Sequence, residues 1–432
     1  MRKIKRLNSS LAEFRREFDE LLLRGNVDMD TVIPVVSGLI KEIRTQGDAA
    51  LLAHVAKFDR WNPKSAMELK IDPSLMKRAY EGLEASLREA LHSAYNRIHS
   101  FHSKQKPQSW LDFEENGTIL GQKVTPMDRA GLYIPGGKAA YPSSLLMNAI
   151  PAIVAGVKEI VVCTPTPENE PNELLLAACH LCGIKEVYKV GGASAIAAMA
   201  YGTESLGRVD VITGPGNIYV ATAKKLVFGQ VNIDMVAGPS EIGILADESA
   251  KAPWVALDLL SQAEHDEMAS SILVTPSVEL ADAVDVEVER ALERLDRKEI
   301  SSKSIYTRGA IIIAKDMNEA VSLMNEIAPE HLEVLVENPF GWLPEIRHAG
   351  AIFLGENTPE PIGDYIAGPN HTLPTGGTAR FYSPLSTEHF MKKSSILSFS
   401  ERGIRELGHH CAKLAQTEGL DAHKESVLAR LV

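Results

Sequence analysis

Ala130-Gly131-Leu132-Tyr133-Ile134-Pro135-Gly136-Gly137 opens the stretch of sequence that decides the fold, which extends over residues 129–246. Within this stretch, short apolar runs alternate with segments of helical periodicity. The predicted strands are 130–134, 159–163, 186–190 and 209–212, and the predicted helices are 144–157, 173–182, 193–201 and 218–227. Alternation of strands and helices at this spacing predicts a mostly parallel, doubly wound sheet.

The same alternation continues beyond residue 239, with strands predicted at 242–245, 271–274, 310–313, 332–335 and 351–354 and a helix at 254–265. The first 110 residues are predicted to be mainly helical, with one long helix over 79–103, and the chain after Phe390 is predicted to be polar and helical. We therefore predict an α/β protein. Two Rossmann-like lobes, each an incomplete doubly wound parallel sheet, lie between a helical N-terminal region and a helical tail. The predicted limits are 1–110, 111–238, 239–385 and 386–432.

The composition narrows the class of protein. The 432 residues carry a formal net charge of −12, whereas a protein that binds a phosphate backbone needs a basic surface. Four cysteines make no disulfide framework and fit a reducing compartment. The sequence has no run of about 18 apolar residues and no apolar signal core. We therefore expect a cytoplasmic protein with neither nucleic-acid nor membrane partners.

Glycine and proline breaks follow all four predicted strands of the first lobe: Pro135-Gly136-Gly137, Thr164-Pro165, Gly191-Gly192 and Thr213-Gly214-Pro215-Gly216-Asn217. Each break lies at the carboxyl end of its strand, which is the edge at which open α/β sheets bind ligands. Backbone N–H groups and helix N-termini there favour an anion such as a dinucleotide phosphate. The G-x-G-x-x-G spacing is absent, so the alternative of four ordinary βα turns stays open.

Two short segments carry candidate metal ligands and proton carriers. Gln262 and His265 end a predicted helix and share one face, from which they could bind the same divalent ion. Glu330 and His331 follow Pro329 and place two proton carriers at the entrance of a strand, where a histidine can titrate near neutrality. Taken singly, such pairs are more often a hydrogen-bonded helix end and an exposed turn.

Residues 358–381 form the densest group of polar and turn-forming residues, and no regular pattern predicts a helix or strand in them. Loops of this length in compact proteins are usually functional or disordered, and the apolar residues throughout argue against disorder. Asp364 and His371 are the candidates for metal binding or proton transfer. Residues 418–423 in the tail would join an active site only by folding across a partner subunit, and otherwise mark a helix break.

Together these segments make the chain resemble the histidinol dehydrogenase family. Six of them match in family order and span nearly the whole chain: Thr213-Gly214-Pro215-Gly216-Asn217, Ala237-Gly238-Pro239-Ser240-Glu241, Leu259-Leu260-Ser261-Gln262-Ala263-Glu264-His265, Ala328-Pro329-Glu330-His331-Leu332, residues 363–381, and Glu418-Gly419-Leu420-Asp421-Ala422-His423. The resemblance implies oxidation of L-histidinol through L-histidinal to L-histidine, with two NAD in sequence. It also implies one zinc ion per subunit and a homodimer in which the tail crosses to the partner.

The resemblance further implies roles for individual residues. Glu330 and His331 would be the catalytic acid–base pair. Zinc would be held by Gln262, His265, Asp364 and His423, and the substrate by Ser240, Gln262, His265, His331, Asp364, Glu418 and His423. NAD contacts would come from Tyr133, Ser194 and Asn217. Ser194 stands where the family usually has Gln, and its shorter side chain could lose a hydrogen bond to the dinucleotide.

Two alternatives arise from the same residues. One is a related zinc- and NAD-dependent alcohol dehydrogenase that acts on a sulfonated propanediol or a similar small alcohol. Glu418 favours histidinol over such a substrate, because a carboxylate accepts a hydrogen bond from an imidazole N–H more readily than it tolerates an anionic sulfonate. The other alternative is a zinc hydrolase or a non-catalytic metal-binding protein, which would not need the glycine-bearing βα turns.

Overall fold

The computed structural model describes residues 3–23, 29–136 and 141–431, so Gly137 of the first predicted turn lies outside the described residues. The strands, in chain order, are β1 (Lys5–Asn8), β2 (Trp110–Phe113), β3 (Ile119–Pro126), β4 (Arg129–Tyr133), β5 (Glu159–Thr164), β6 (Glu186–Lys189), β7 (Val211–Thr213), β8 (Asn232–Ile233), β9 (Glu241–Ala246), β10 (Ser270–Thr275), β11 (Ala310–Ile313), β12 (His331–Leu335), β13 (Ala351–Leu354) and β14 (Met391–Ser398).

The helices, again in chain order, are α1 (Phe14–Leu22), α2 (Ile33–Gln46), α3 (Asp48–Phe58), α4 (Pro73–Glu81), α5 (Ala85–Gln105), α6 (Pro142–Ala155), α7 (Glu173–Leu181), α8 (Gly192–Tyr201), α9 (Ile218–Val227), α10 (Ala252–Ala263), α11 (Val278–Leu292), α12 (Lys298–Arg308), α13 (Met317–Ile327), α14 (Pro339–Trp342), α15 (Glu360–Tyr365), α16 (Glu401–Thr417) and α17 (Asp421–Leu428). None of the helices in the described ranges has the length and apolarity that a membrane crossing requires.

The first lobe contains a five-stranded parallel sheet with the strand order β6-β5-β4-β7-β8. The order reverses at β4, where the chain places β5 on one side and β7 on the other. Val161, Val162 and Cys163 in β5 are fully buried, because the packed helices leave neither face of the strand to solvent. The predicted strands and helices of this lobe are all present, and the turns that follow them lie at the carboxyl edge.

The second lobe contains a six-stranded parallel sheet with the order β1-β11-β10-β9-β12-β13. The order reverses at β9, which pairs with β10 on one side and β12 on the other. Two parallel sheets with helices between their strands confirm the predicted α/β class. A third, antiparallel sheet with the order β14-β3-β2 lies outside both.

The helical N-terminal region and the helical tail are confirmed, but each also contains a strand that was not predicted, and one local prediction was wrong. The single helix over 79–103 is two helices, α4 and α5, because the backbone is extended at Glu84 (ψ 143°), shortly after Gly82, a poor helix former. The tail after Phe390 begins with β14, which pairs with β3 along its whole length. The N-terminal region contributes β1 to the second sheet. Both strands depend on partners far away in the sequence, which local patterns do not reveal. The limits at 110, 238 and 385 remain a prediction.

Residues 360–381 connect the two lobes. On the side of the first lobe, the side-chain amide of Asn370 donates to the Met147 carbonyl of α6 (2.6 Å). On the side of the second lobe, the Gly376 N–H donates to Oε2 of Glu241 (3.0 Å), and the Gly238 N–H donates to the Thr375 hydroxyl. The segment predicted to be without regular structure also contains α15. It therefore places a short helix between the lobes, at the amino edge of the second sheet.

Candidate active site

The predicted acid–base pair lies where β9 and β12 begin side by side. The register places His331 opposite Ile242, so Glu330 and Glu241 precede them at the same edge. The Glu241 N–H donates to Oε2 of Glu330 (2.9 Å), and Nδ1 of His331 lies 3.0 Å from the Glu241 carbonyl oxygen. The pair therefore occupies both polar groups of the Glu241 backbone. The predicted position of Glu330 and His331 at a strand entrance is correct.

The orientation of the His331 ring follows from this contact. A carbonyl oxygen only accepts hydrogen bonds, so Nδ1 carries a proton in both protonation states of the ring, and Nε2 is the nitrogen that gains or loses one. Nε2 lies 3.6 Å from Oδ1 of Asp364 and 3.9 Å from Oε1 of Glu360. Among the described residues it has no hydrogen-bond partner, although His331 is only 3% exposed. The free nitrogen therefore faces the carboxylates of α15.

Several buried carboxyl groups set the charge around this ring. Burial raises the pKa of Glu330 to about 8. Burial alone would lower the pKa of His331, but the negative charges of Glu330, Asp364 and Glu360 outweigh it and raise the pKa to about 10. Burial alone would raise the pKa of Asp364, but the neighbouring His331, His371 and His265 outweigh it and lower the pKa to about 2. The site thus concentrates negative charge that a divalent cation would offset.

A candidate metal site lies beside the acid–base pair. His265, Glu360 and Asp364 bring one ligand atom each to within 4.8 Å of one another, and no other such group of three occurs in the part of the chain that the structure describes. His265 is exposed as a residue, yet desolvation lowers the pKa of its imidazole. This favours the neutral ring that binds metals. The predicted ligands His265 and Asp364 therefore do come together.

Gln262 gives independent support for a bound cation. It lies one helical turn before His265 and is fully buried. Neither its amide oxygen nor its amide nitrogen has a hydrogen-bond partner among the described residues. A buried amide without partners is costly, and native structures rarely retain one without a function. The residues at this edge therefore fit a divalent cation.

The sequence prediction missed two acidic residues of this site. Glu360 is buried, its Oε2 accepts a hydrogen bond from the Ser261 hydroxyl (3.1 Å), and burial raises its pKa to about 7. It lies four residues before Asp364, so both share one face of α15; recognition of that helix would have found it. Glu241 stands at the end of a quoted motif, and burial raises its pKa to about 7. Ser240 precedes it at the same edge.

The two tail residues that were predicted to join the site are not part of it within one chain. Glu418 and His423 are exposed, in the region where α16 and α17 pack against each other. His423 is not part of the cluster formed by His265, Glu360 and Asp364. One chain therefore supplies three of the four predicted zinc ligands at this edge, and the fourth remains a prediction that needs a second subunit.

Two predicted NAD contacts lie at the carboxyl edge of the first sheet. Tyr133 ends β4, its hydroxyl accepts the Gly192 N–H (3.1 Å), and burial raises its pKa to about 12. Asn217 caps α9, because its Oδ1 accepts the N–H groups of Tyr219 (3.1 Å) and Val220 (3.2 Å). Both residues therefore shape turns at the edge where the sequence predicted a dinucleotide.

Ser194 has a different environment. It lies on α8 and is buried, with Oγ 2.8 Å from Nδ1 of His54. Nε2 of that histidine lies 2.7 Å from Oε2 of Glu42. The hydroxyl is thus engaged by α3 rather than left free at the turn, which gives Ser194 a structural role. A cofactor contact by Ser194 stays a prediction.

These features define a class of protein: an α/β protein with glycine-bearing turns at the carboxyl edge of one sheet and, in the other lobe, a buried Glu–His pair beside a candidate cation site, an arrangement typical of enzymes. The chain belongs to the histidinol dehydrogenase family, whose model matches residues 22–431. It is 66% identical to the histidinol dehydrogenase of Sulfurimonas denitrificans, over 98% of this chain and 99% of that one. It is 62% identical to the enzyme of Helicobacter hepaticus, over 99% and 98%.

A solved structure agrees with these relatives. The crystal structure of histidinol dehydrogenase from Elizabethkingia anophelis superposes with a TM-score of 0.93 at 35% identity, over 99% of this chain and 98% of that one. The chain is therefore an NAD-linked oxidoreductase. The family membership supports the histidinol enzyme over the sulfonated-diol alternative, and it does not support a zinc hydrolase or a non-catalytic metal-binding protein.

Replacing Gln262 by Leu tests whether its unpaired amide serves a ligand. Without metal, the free energy of unfolding of the variant should be unchanged or higher by about 1–3 kcal/mol, because the substitution removes a buried amide without partners. Its affinity for Zn²⁺ should fall. Urea denaturation after chelation and Zn²⁺ titration measure the two quantities.

Asn370→Leu is the matched control, because this buried amide does have partners, the Met147 carbonyl and the Thr372 N–H (2.9 Å). It should lower the free energy of unfolding by about 1–3 kcal/mol. An equal loss in both variants would show that Gln262 is an ordinary structural residue.

Proposed function

We propose that this enzyme oxidises L-histidinol through L-histidinal to L-histidine, reducing two NAD per turnover in the last steps of histidine biosynthesis, with one zinc ion per subunit. The observation that carries the proposal is the buried Glu330–His331 pair, whose free Nε2 faces the cluster of candidate metal ligands. Family membership supports the choice of substrate and cofactor.

His331 serves the first oxidation. Its Nε2 takes the hydroxyl proton of the alcohol while the adjacent carbon gives a hydride to NAD⁺, leaving the aldehyde, NADH and a protonated imidazole. The geometry suits this role because the Glu241 carbonyl fixes Nδ1–H and leaves Nε2 as the basic atom. The same carbonyl bond stabilises the imidazolium that forms, since both ring nitrogens are then donors.

Glu330 serves the second oxidation. Its carboxylate takes a proton from a water molecule, whose oxygen bonds to the aldehyde carbon as the C=O π bond opens, giving the monoanion of the hydrated aldehyde. This monoanion gives a hydride to a second NAD⁺ and becomes the carboxylic acid, while the proton stays on Glu330. Oε2 of Glu330 accepts a hydrogen bond from the Glu241 N–H, so Oε1 is the oxygen that takes the proton from water. Because Oε2 of Glu330 lies 3.7 Å from Nδ1 of His331, one substrate position serves both steps.

Gln262, His265 and Asp364, with the partner's His423, would hold the zinc ion. When bound, the ion would orient the substrate through its imidazole and amine, and its charge would favour a neutral His331 ring. The unpaired amide of Gln262 supports this assignment. Substrate contacts would come from Ser240, Gln262, His265, His331, Asp364, Glu418 and His423, and NAD contacts from Tyr133, Asn217 and, less directly, Ser194.

A homodimer with shared active sites completes the proposal. An exposed group of large apolar side chains supports it, because soluble monomers rarely leave so much apolar surface uncovered. The group lies on β2, at the end of β14 and on the helices that carry Glu418 and His423: Trp110, Leu111, Phe113, Leu397, Phe399, Leu407, Leu414 and Leu420. Covering it with a second copy would bring the tail of one subunit to the other.

We also infer that the enzyme acts in the cytoplasm, with neither nucleic-acid nor membrane partners. The acidic net charge of −12 supports the absence of nucleic-acid partners. The four cysteines, all free, fit a reducing compartment.

Purified enzyme with L-histidinol and NAD should form two NADH for each L-histidine released. The reason is that both oxidations occur at one site without release of the aldehyde. NADH absorbance and amino-acid analysis measure the ratio, and a sulfonated propanediol is the comparison substrate. Turnover of the diol without turnover of histidinol would overturn the proposal.

His331→Asn should lower the rate of the first oxidation by about 10²–10⁴-fold, because it removes the base. Its zinc content should not change, since His331 faces the ligand cluster but is not assigned to it. Metal analysis and single-turnover NADH formation give the two readouts. His265→Asn is the control and should lose zinc. Loss of zinc from His331→Asn would make this residue a ligand instead.

Mixing two inactive full-length variants tests the sharing of sites. In a mixed dimer of Glu330→Gln and His423→Asn subunits, one site combines an intact Glu330 with an intact tail. Such dimers should recover about half of the activity of the unmodified dimer. Differently tagged subunits allow their purification. Mixed dimers that stay as inactive as their parents would count against a shared site.

A further inference from the structure

Two buried charged side chains in the first lobe have no part in the chemistry described above. Lys224 lies on α9 and Asp234 follows β8; both are buried, and the Lys224 ammonium forms an ion pair with Oδ1 of Asp234. Charges are rarely buried unless their remaining hydrogen-bonding capacity is also satisfied. The partners that satisfy them therefore indicate what the pair does.

Those partners converge on a single residue, Gly214. Its N–H donates to Oδ2 of Asp234 (2.8 Å), and its carbonyl accepts from Nζ of Lys224 (2.9 Å). The Met235 N–H donates to Oδ1 of Asp234 (2.6 Å), so the carboxylate is itself held by the backbone. The ion pair thus hydrogen-bonds both polar groups of the first glycine in the turn after β7.

The path of this turn needs such an external restraint. Gly214 has φ +121°, and a Cβ there would lie 1.9 Å from the Tyr133 carbonyl oxygen. Only glycine fits, and glycine imposes the least conformational preference on its own backbone. Three residues later Asn217 caps α9. Any drift of Gly214 would therefore move the start of α9 and the side chain assigned to the dinucleotide.

We infer that Lys224 and Asp234 are positioning residues for NAD, which hold the turn 213–217 in the conformation that binds the dinucleotide. They act through Gly214 and do not touch the cofactor. The inference rests on the proposed function, in which Asn217 contacts NAD. An anion binds more tightly to N–H groups that are already oriented, because no conformational entropy is then lost in ordering them when the anion binds.

The double variant Lys224→Met/Asp234→Asn tests this, because it removes the ion pair without leaving one buried charge unpaired. We expect the dissociation constant of NADH, measured by fluorescence titration, to rise about tenfold, the effect of losing roughly one hydrogen bond to a charged group. Hydrogen exchange at the Gly214 amide should become faster. The KM for L-histidinol and kcat at saturating NAD should stay within about twofold.

Arg129→Met is the matched control. Arg129 begins β4, at the opposite edge of the same sheet, and pairs with Glu159 and Glu186 at the starts of β5 and β6. It should lower the free energy of unfolding but leave the NADH dissociation constant unchanged. Lys224→Gln/Asp234→Asn, which keeps a donor and an acceptor for Gly214 and leaves no buried charge unpaired, is the milder variant if the first one does not fold. It should weaken NADH binding about threefold.

Unchanged NADH binding in a folded pair variant overturns the inference, and so does an equal weakening in Arg129→Met. Asn217→Ala separates this failure from failure of the proposed function. If Asn217→Ala weakens NADH binding and the pair variants do not, only the role of Lys224 and Asp234 is wrong. If none of them weakens it, NAD does not bind at this turn, and the cofactor site of the proposed function is wrong as well.

Discussion

The parallel pairing of β12 with β9 is the constraint on which the active site depends. It aligns Glu330 and His331 with the backbone of Glu241. The Glu241 N–H donates to the Glu330 carboxylate, and the Glu241 carbonyl accepts from the His331 imidazole. A slip of one residue would turn these side chains to the other face of the sheet. Close packing prevents the slip: a Cβ on Gly243 in β9 would lie 2.6 Å from the Met324 sulfur and 2.9 Å from Pro329.

The two lobes use opposite edges of their sheets. In the first sheet, the glycine-bearing turns after β6 and β7 lie at the carboxyl edge, which is the usual ligand edge of such folds. In the second sheet, the acid–base pair and the candidate metal ligands lie at the amino edge. The segment 360–381 joins both edges, since Asn370 bonds to α6 and Gly376 bonds to Glu241. The reaction site therefore depends on how the lobes meet.

The candidate site contains buried polar residues that lower the stability of the folded protein. Glu241, Glu330 and Glu360 are buried carboxyl groups whose pKa values burial raises, and Gln262 is a buried amide without partners in the described chain. Each would cost less as an apolar residue of similar volume. Ala328, just before the acid–base pair, also adopts a left-handed backbone (φ +49°), a strain that sites of chemistry often contain. Such departures from an optimal core are typical of functional sites.

The sequence by itself determined most strands of the two parallel sheets and the helices of the first lobe, because apolar periodicity and glycine breaks are local signals. It also determined the place of Glu330 and His331 at the start of a strand and that of Gln262 near the end of α10, although this helix ends at Ala263, before His265. Only the tertiary structure decided the rest, since it depends on contacts between residues hundreds of positions apart. Strands β1 and β14 form on distant partners, Glu360 comes close to His265 and Asp364 only when α15 folds, and Ser194 contacts His54. Lys224 and Asp234 resemble ordinary surface charges in the sequence. Their burial around Gly214 arises only when α9 packs beside β8, because desolvation and pairing are properties of the assembled core.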